Sequence, residues 1–283
     1  EDGARLADKA TGVFADGDQI HRIDHEGQHY RVAGPLDVPR SPQGWPVLVQ
    51  AGQSESGRQF AARWAEAVFT TQRALEDAQA FSADLKGRAH EFGRSPDSVK
   101  VLPGVVPFLG STEREARERE AEFEEVIVPA YGLKQLSNFF GVDLTGIALD
   151  EPLPEVPEED EIEGFKSRST LVRDLARGED LTVRQLIGKL GGGRGHRTFT
   201  GTPEQLADNL ELWFREGGAD GFNVMAPAIP GDLQVFIDQV LPILRKRGLF
   251  RDPGGYEGST LREHLGLLRP ESQYARAAVG ATR

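Results

Sequence analysis

The sequence of 283 residues contains no cysteine, and this absence removes several kinds of chemistry. Disulfide bonds, thiolate nucleophiles and cysteine-ligated metals are all excluded. A chain without cysteine fits a reducing compartment, and we therefore expect a cytoplasmic protein.

Positive charge is in the minority. The 33 Lys and Arg residues stand against 45 Asp and Glu residues, which gives a formal net charge of −12. Such a chain repels a phosphate backbone, so nucleic acid is not an expected partner. Apolar runs are shorter than a membrane span and the opening residues are charged rather than signal-like, so we expect no membrane association.

The most informative feature lies within residues 46–67, where a short apolar run precedes Gly52, two serines and an amphipathic helical pattern. Residues 47–49 predict a strand buried on both faces. Gly52 lets the backbone turn and approach a ligand closely, and Ser54 or Ser56 can cap the helix that follows. Because the first N–H groups of a helix lack intrahelical partners, this corner predicts an anion site. An ordinary capped turn is the alternative.

Similar units follow along the chain. Further strands are predicted at 67–71, 99–109 and 221–225, and helices at 74–92, 113–125, 204–216 and 233–247. Pro103 and Pro107 are expected to confine the pairing of the 99–109 strand to short stretches. Strands that alternate with helices imply an α/β fold with a parallel sheet. Four such units are half of what closes a (β/α)8 barrel, so the pattern predicts half a barrel.

Residues 110–200 are expected to form an insertion or lid region. Within them, residues 150–164 are rich in proline and acid, which predicts an exposed loop or flexible lid. A helix is predicted at 181–190, and the glycine run before His196 predicts a hinge for that lid. Residues 248–283 are expected to be a C-terminal extension.

Residues 23–32 predict a β-hairpin and contain two of three histidines that are spaced by four residues, at positions 21, 25 and 29. This spacing would suggest a metal site on a helix. On a strand, these positions share one face without converging, so we expect no metal site.

Three blocks of sequence resemble a known family. They are residues 34–69 (GPLDVPRSPQGWPVLVQAGQSESGRQFAARWAEAVF), residues 181–225 (LTVRQLIGKLGGGRGHRTFTGTPEQLADNLELWFREGGADGFNVM) and residues 247–270 (RGLFRDPGGYEGSTLREHLGLLRP). The chain resembles flavin-dependent monooxygenases of the nitrilotriacetate monooxygenase, pristinamycin synthase and dibenzothiophene-sulfone monooxygenase type, within the bacterial-luciferase-like superfamily. The resemblance implies a (β/α)8 TIM barrel of which this chain supplies about the C-terminal half, strands 5–8, plus an insertion.

The resemblance also implies a two-component oxygenase. A separate flavin reductase would supply reduced FMN (FMNH2), and O2 and a small organic substrate would be the other reactants. Members of the family are longer than this chain, so the resemblance implies a separate or missing N-terminal half of the barrel as a partner. It further implies a homo-oligomer.

Site residues follow from the same resemblance. It implies cofactor-binding residues at Gln50, Ala51, Gly52, Gln53, Ser54 and Ser56, a catalytic residue at His196 and a substrate or lid residue at Asn223. A histidine at position 196 can hydrogen-bond a reacting oxygen or a substrate carboxylate, and a structural histidine bonded to a loop carbonyl is the alternative. Arg58 can add charge beside the phosphate or can be an ordinary solvated helix residue.

Two other functions remain open on the residues alone. One is a phosphate-binding TIM-barrel enzyme without flavin, which would need a catalytic lysine or paired carboxylates that the apolar strand ends do not offer. The other is an inactive or partner-dependent half-barrel fragment.

Overall fold

The fold is described from a computed structural model that covers residues 2–162, 166–193, 195–272 and 274. The chain divides into two compact units. The described residues of 1–47 and 255–283 form one unit, and residues 48–254 form the other. The predicted C-terminal extension therefore contributes its residues from 255 onward to the first unit, and residues 273 and 275–283 of that extension lie outside the described residues.

The first unit contains the predicted hairpin. Strands β1 (His25–Glu26) and β2 (Arg31–Val32) pair antiparallel, which confirms the prediction for residues 23–32. A short helix, α10 (Leu261–His264), carries Arg262, whose side chain is buried and donates to the carbonyl oxygens of Trp45 at 3.1 Å and Leu268 at 3.3 Å. This guanidinium fastens the 255–272 segment to the residues just before position 47.

The second unit is built on a parallel sheet. Its strands are β3 (Val49–Ala51), β4 (Ala67–Thr70), β5 (Lys100–Leu109), β6 (Arg197–Gly201) and β7 (Asn223–Val224). The predicted α/β class and parallel sheet are confirmed. The sheet has five strands where four were predicted, because the segment after His196 also forms a strand.

Strand β5 organises the sheet because three strands pair with it. Val105 pairs with both Arg197 of β6 and Val224 of β7, so these two strands lie on opposite edges of β5. Val101 pairs with β4 and exchanges backbone and side-chain bonds with Asp220, just before β7. Strands β4 and β6 therefore follow one another along the same edge of β5, with β7 along the other.

The two prolines of β5 do not break it, and that expectation was wrong. Pro103 pairs with Thr70 and Pro107 with Phe199 in one continuous strand. Successive residues of a strand bond to alternate edges, and Val101 bonds to the β7 edge. The N–H groups that the prolines lack would point to that edge as well. Because β7 is only two residues long, few bonds are lost there.

Strand β3 is also less buried than predicted. It pairs with β4 alone, and Val49 is 65 % exposed. The sequence run was interpreted as a strand buried on both faces, but within the described residues β3 is an edge strand. Its exposure follows from the absence of a neighbour on the outer edge.

The helices match the local capping signals. They are α1 (Glu55–Trp64), α2 (Leu75–Glu91), α3 (Glu113–Glu125), α4 (Pro129–Phe140), α5 (Lys166–Gly178), α6 (Val183–Gly193), α7 (Pro203–Arg215), α8 (Gly231–Val235) and α9 (Leu241–Lys246). A π-helical segment, Phe236–Val240, joins α8 to α9, so the predicted closing helix is continuous. None of the helices in the described ranges combines the length and apolarity that crossing a bilayer needs.

The insertion has its own apolar core, formed by α4, α5 and α6 around Leu136, Phe140, Val172 and Leu186. The acidic loop was expected to be exposed and flexible, and this was wrong for most of its length. Leu153, Val156 and Ile162 pack against that core. Buried Arg173 bonds to Glu158 at 2.6 Å. Residues 163 and 164 lie outside the described residues.

The predicted hinge before His196 is mostly helical. The glycines at positions 191–193 form the last residues of α6, and Arg194 lies outside the described residues. The apolar spacing that begins near Val183 carries the helix to Gly193, three residues beyond its predicted end.

Candidate functional site

The predicted anion corner lies at the carboxyl end of β3, between that strand and α1. Since the sheet is parallel, this is the same rim as the other strand ends. Ser54 is the N-cap of α1, and its Oγ accepts a hydrogen bond from the N–H of Gly57 at 3.2 Å. The N–H groups of Glu55 and Ser56 have no acceptor inside the helix and lie where its positive dipole end is strongest. The corner thus has donors for an anion in addition to its cap.

The side chains of the corner differ in exposure. Ser54, Ser56 and Ala51 are exposed, and the two hydroxyl oxygens lie 3.4 Å apart. Gln50 lies beneath them, with its Nε2 donating to the carbonyl of Gly57 at 3.4 Å. Its Oε1 is buried and has no hydrogen-bond partner in the described residues. A Cβ at Gly52 would approach Nε2 of Gln50 to 2.9 Å, so glycine leaves this side open.

The charges beside the corner are paired with one another. Arg88 bonds to Glu55 at 2.5 Å, and Arg58 bonds to Glu55 and to Asp84 at 3.0 Å each. The hydrogen bond from Arg88 holds the pKa of the Glu55 carboxyl below its usual range. Arg58 is therefore engaged with two carboxylates along the outer faces of α1 and α2.

Gln53 connects the corner to the end of β4. Its Nε2 donates to the carbonyl oxygen of Thr71 at 2.9 Å. The Thr71 hydroxyl in turn lies 3.3 Å from Nδ1 of His196. The structure therefore brings Gln53 and His196, which were predicted separately, into one chain of contacts.

His196 is 7 % exposed and fits closely against two strands. Its ring stacks on Phe69, with ring centres 4.8 Å apart and planes 6° from parallel. A Cβ at Gly104 of β5 would overlap Nδ1 of the imidazole, so only glycine leaves room for the ring. The histidine lies at this position because β6 begins where β4 ends along the edge of β5.

Asn223 neighbours Gly104 across the sheet. Its Nδ2 donates to the carbonyl oxygen of Leu102 at 3.2 Å. The predicted residue of the pocket or lid is thus one strand away from the imidazole, and its amide is used in part to hold β7 to β5.

Arg197, the residue after His196, is a buried cation that the sequence did not reveal. Its guanidinium bonds to Asn209 and lies 4.1 Å from the ring centre of Trp213, both on α7. Burial lowers its pKa to about 10, which still leaves it charged at neutral pH. Its Nε and one terminal nitrogen lack hydrogen-bond partners in the described residues.

Sequence reasoning missed the residues that surround His196. Thr71 and Gln72 follow a buried strand, and hydroxyl and amide groups at a strand end are a usable signal. Gly104 interrupts a valine-rich strand, and a glycine there often marks a close approach. Phe69 carries no such signal because an aromatic residue in a strand is commonly core. Within the described ranges, no group of three or more metal-ligating side chains occurs.

The parallel α/β sheet, with an anion corner and a histidine on one rim, defines a class of phosphate-binding α/β proteins. Residues 12–221 match the model of the luciferase-like monooxygenase family. The chain belongs to this family, and the predicted resemblance is confirmed.

Relatives of the predicted type are similar over nearly the whole chain. Nitrilotriacetate monooxygenase component A from Aminobacter aminovorans is 48% identical over 98% of this chain and 60% of its own length. One of the polypeptides of pristinamycin IIA synthase from Streptomyces pristinaespiralis is 43% identical over 90% and 58%, respectively. Dibenzothiophene-sulfone monooxygenase from Rhodococcus erythropolis is 39% identical over 96% and 60%. The chain therefore spans about 60% of the length of these relatives.

Solved structures agree with the fold. The crystal structure of DmoA from Hyphomicrobium sulfonivorans superposes with a TM-score of 0.83 at 34% identity, over 99% of this chain and 60% of the other. Riboflavin lyase with modified FMN and riboflavin superposes with a TM-score of 0.79 at 32% identity, over the same shares. Neither comparison confirms that this chain is the C-terminal half of an eight-stranded barrel, and that placement stays a prediction.

Proposed function

We propose that this chain is part of a two-component, FMN-dependent monooxygenase that oxygenates a small organic substrate. The observation that carries the proposal is the open corner after β3, with exposed serines and free helix N–H groups. Membership of the luciferase-like monooxygenase family supports the flavin and the oxygenation. Reduced FMN would supply the activation of O2, and the protein would hold, orient and shield it.

The corner fits the phosphate of FMN. The hydroxyls of Ser54 and Ser56 and the backbone N–H groups of residues 53–56 would donate to it, with Gly52 and Ala51 leaving room. The buried, unpartnered Oε1 of Gln50 fits a ligand that brings a donor, such as a ribityl hydroxyl or a ring N–H. Because Arg58 and Arg88 neutralise Glu55 and Asp84, those carboxylates do not oppose a bound anion.

His196 is the proposed catalytic residue, as a hydrogen-bonding group toward the reacting atoms. Its burial beside Phe69 and Thr71 keeps the imidazole in one orientation. Asn223 is proposed to line the substrate pocket from β7, next to Gly104.

We also propose the partners that the resemblance implied. These are O2, a flavin reductase that delivers reduced FMN, the N-terminal half of a barrel and further copies of the same chain. The nitrilotriacetate and pristinamycin relatives are each named as one part of a larger enzyme, which supports an enzyme made of several polypeptides. A cytoplasmic location is proposed on the absence of cysteine.

Binding of reduced FMN under anaerobic conditions tests the proposal. Ser54→Ala removes a hydroxyl donor and should weaken FMN at least tenfold, since a hydrogen bond to a charged group contributes about 1.5–3 kcal/mol. Loss of the N-cap should also lower the free energy of unfolding by about 1 kcal/mol.

The matched control is Ser95→Ala. Ser95 also caps a helical turn, through its contact with the N–H of Asp97, but it precedes β5 and so lies on the opposite rim of the sheet. Its FMN affinity should equal that of the wild type. An unchanged dissociation constant in Ser54→Ala would remove the corner from the flavin site.

A further inference from the structure

Gln72, which immediately follows the end of β4 and Thr71, is a buried amide to which the proposed chemistry gives no role. It is 6 % exposed. Its Nε2 donates to the Thr70 hydroxyl at 2.9 Å and to Oε1 of Gln53 at 3.4 Å. Burying an amide is costly unless its groups are bonded, so its position is fixed by these two contacts.

Gln53 uses both ends of its own amide. Its Oε1 accepts from Gln72, and its Nε2 donates to the carbonyl oxygen of Thr71. We call this set of contacts the amide clasp, formed by the side chains of Gln53 and Gln72 with Thr70 and Thr71. The clasp fastens the residue immediately before Ser54 to the end of the neighbouring strand.

We propose that Gln72 is a positioning residue for the phosphate-binding corner, an inference that rests on the proposed FMN function. Gln72 acts through Gln53, which fixes the direction of the backbone that carries Ser54 and the N–H groups after it. A loop ordered before binding spares the ligand the entropic cost of ordering it. Without the clasp, the corner still folds as a helix N-terminus but samples other directions.

The test compares reduced FMN with reduced riboflavin, which lacks the phosphate, by anaerobic ultrafiltration with the full chain. Gln72→Leu removes both donors. Gln72→Glu keeps the size but sets a carboxylate against Oε1 of Gln53. Each should weaken FMN about tenfold, the typical loss when a partner of a ligand-binding group is removed, and leave riboflavin unchanged.

A second variant guards against a simple loss of folding. Gln53→Leu changes a half-buried side chain and should reproduce the FMN loss. The double variant should lose no more than either single one, because the two amides act as one unit. Gln79→Leu is the control, since its amide also donates to a carbonyl, that of Glu216 at 2.8 Å, without any link to the corner.

The outcomes are distinct. Equal losses for FMN and riboflavin, or additive losses in the double variant, would overturn the positioning role. Unchanged FMN affinity in both Gln72 variants would overturn it as well. If the wild type itself binds FMN no better than riboflavin, the phosphate corner of the proposed function fails and the inference fails with it.

Discussion

The corner after β3 and the pocket around His196 lie on the same rim of one sheet but differ in almost every physical property. The corner is open to solvent, rich in donors and built on a strand edge. The pocket around His196 is closed and largely apolar, with one imidazole between Phe69 and Gly104. The contrast separates two tasks: holding an anion by backbone groups, and holding one titratable ring in a fixed orientation. Substitutions should therefore affect ligand affinity in one region and ring placement in the other.

The largest effect should come from Gly104→Ala, which breaks the pocket around His196. The new methyl group would overlap Nδ1 of His196 and force the ring away from Phe69. We expect a loss of about 3 kcal/mol in unfolding free energy, as for an overpacked core, and a displaced His196 ring signal in NMR spectra. Affinity for reduced FMN should stay within about twofold, because the corner is untouched.

The control for this change is Gly87→Ala, within α2, where a Cβ meets nothing within 4 Å. It should stabilise the protein by about 0.5–1 kcal/mol, the usual gain for this exchange inside a helix. An equal response of the two glycines would mean that His196 does not limit the space at Gly104.

A smaller effect should follow from Arg94→Met, which sharpens the comparison from the far end of α1. Arg94 donates to the carbonyl oxygens of Ala62 at 2.8 Å and Ala65 at 2.7 Å, where α1 ends. Leaving these groups without a partner should cost about 2 kcal/mol in chemical denaturation. The FMN affinity should be kept, since the donors of the corner lie at the other end of the helix. A large loss of FMN would show that the corner depends on the anchoring of the whole helix.

The smallest effect concerns Glu124 of α3, outside both regions. Burial and the nearby Glu120 carboxylate raise the pKa of the Glu124 carboxyl. A raised folded-state pKa gives stability that is complete below the unfolded pKa and is lost as the pH rises through the folded pKa. Glu124→Gln removes this loss, so the variant should melt higher than the wild type at pH 7. The gap should stay below about 1 kcal/mol because the group is partly screened by solvent.

Melting temperatures of both proteins between pH 4 and pH 8 provide the measurement for Glu124. The two curves should converge at the acid end. Parallel curves over the whole range would contradict the role of burial, and a change in FMN affinity would contradict the independence of the two rim regions.

The local features of this fold were predictable because the signals lie next to each other in sequence. Ser54 and Thr202 cap their helices as expected, and Thr202 forms a capping box with Gln205. The alternation of strands and helices predicted the parallel sheet. What failed was exposure, as for Val49, and the acidic loop, because these depend on neighbours that are distant in sequence.

The pocket around His196 shows the same limit. Position 196 was predicted from a resemblance, but its contacts with Phe69 and Gly104 join segments more than ninety residues apart. No local pattern predicts that β6 will continue along the edge that β4 leaves. Gln72 was missed for a similar reason, since a lone glutamine after a strand does not indicate what it will bond to.

The arrangement of β4 and β6 has one more consequence. Thr70 pairs with Pro103 and Arg197 pairs with Val105, so one position of β5 is skipped on that edge, and it is Gly104. The vacancy between the two strand ends is as wide as a flat aromatic ring. Extending β4 by a single paired residue would fill it, and sliding β6 would turn the histidine to the other face. The location of the imidazole is thus written into the strand alignment itself, and a family that changes its substrates can vary the loops above without disturbing it.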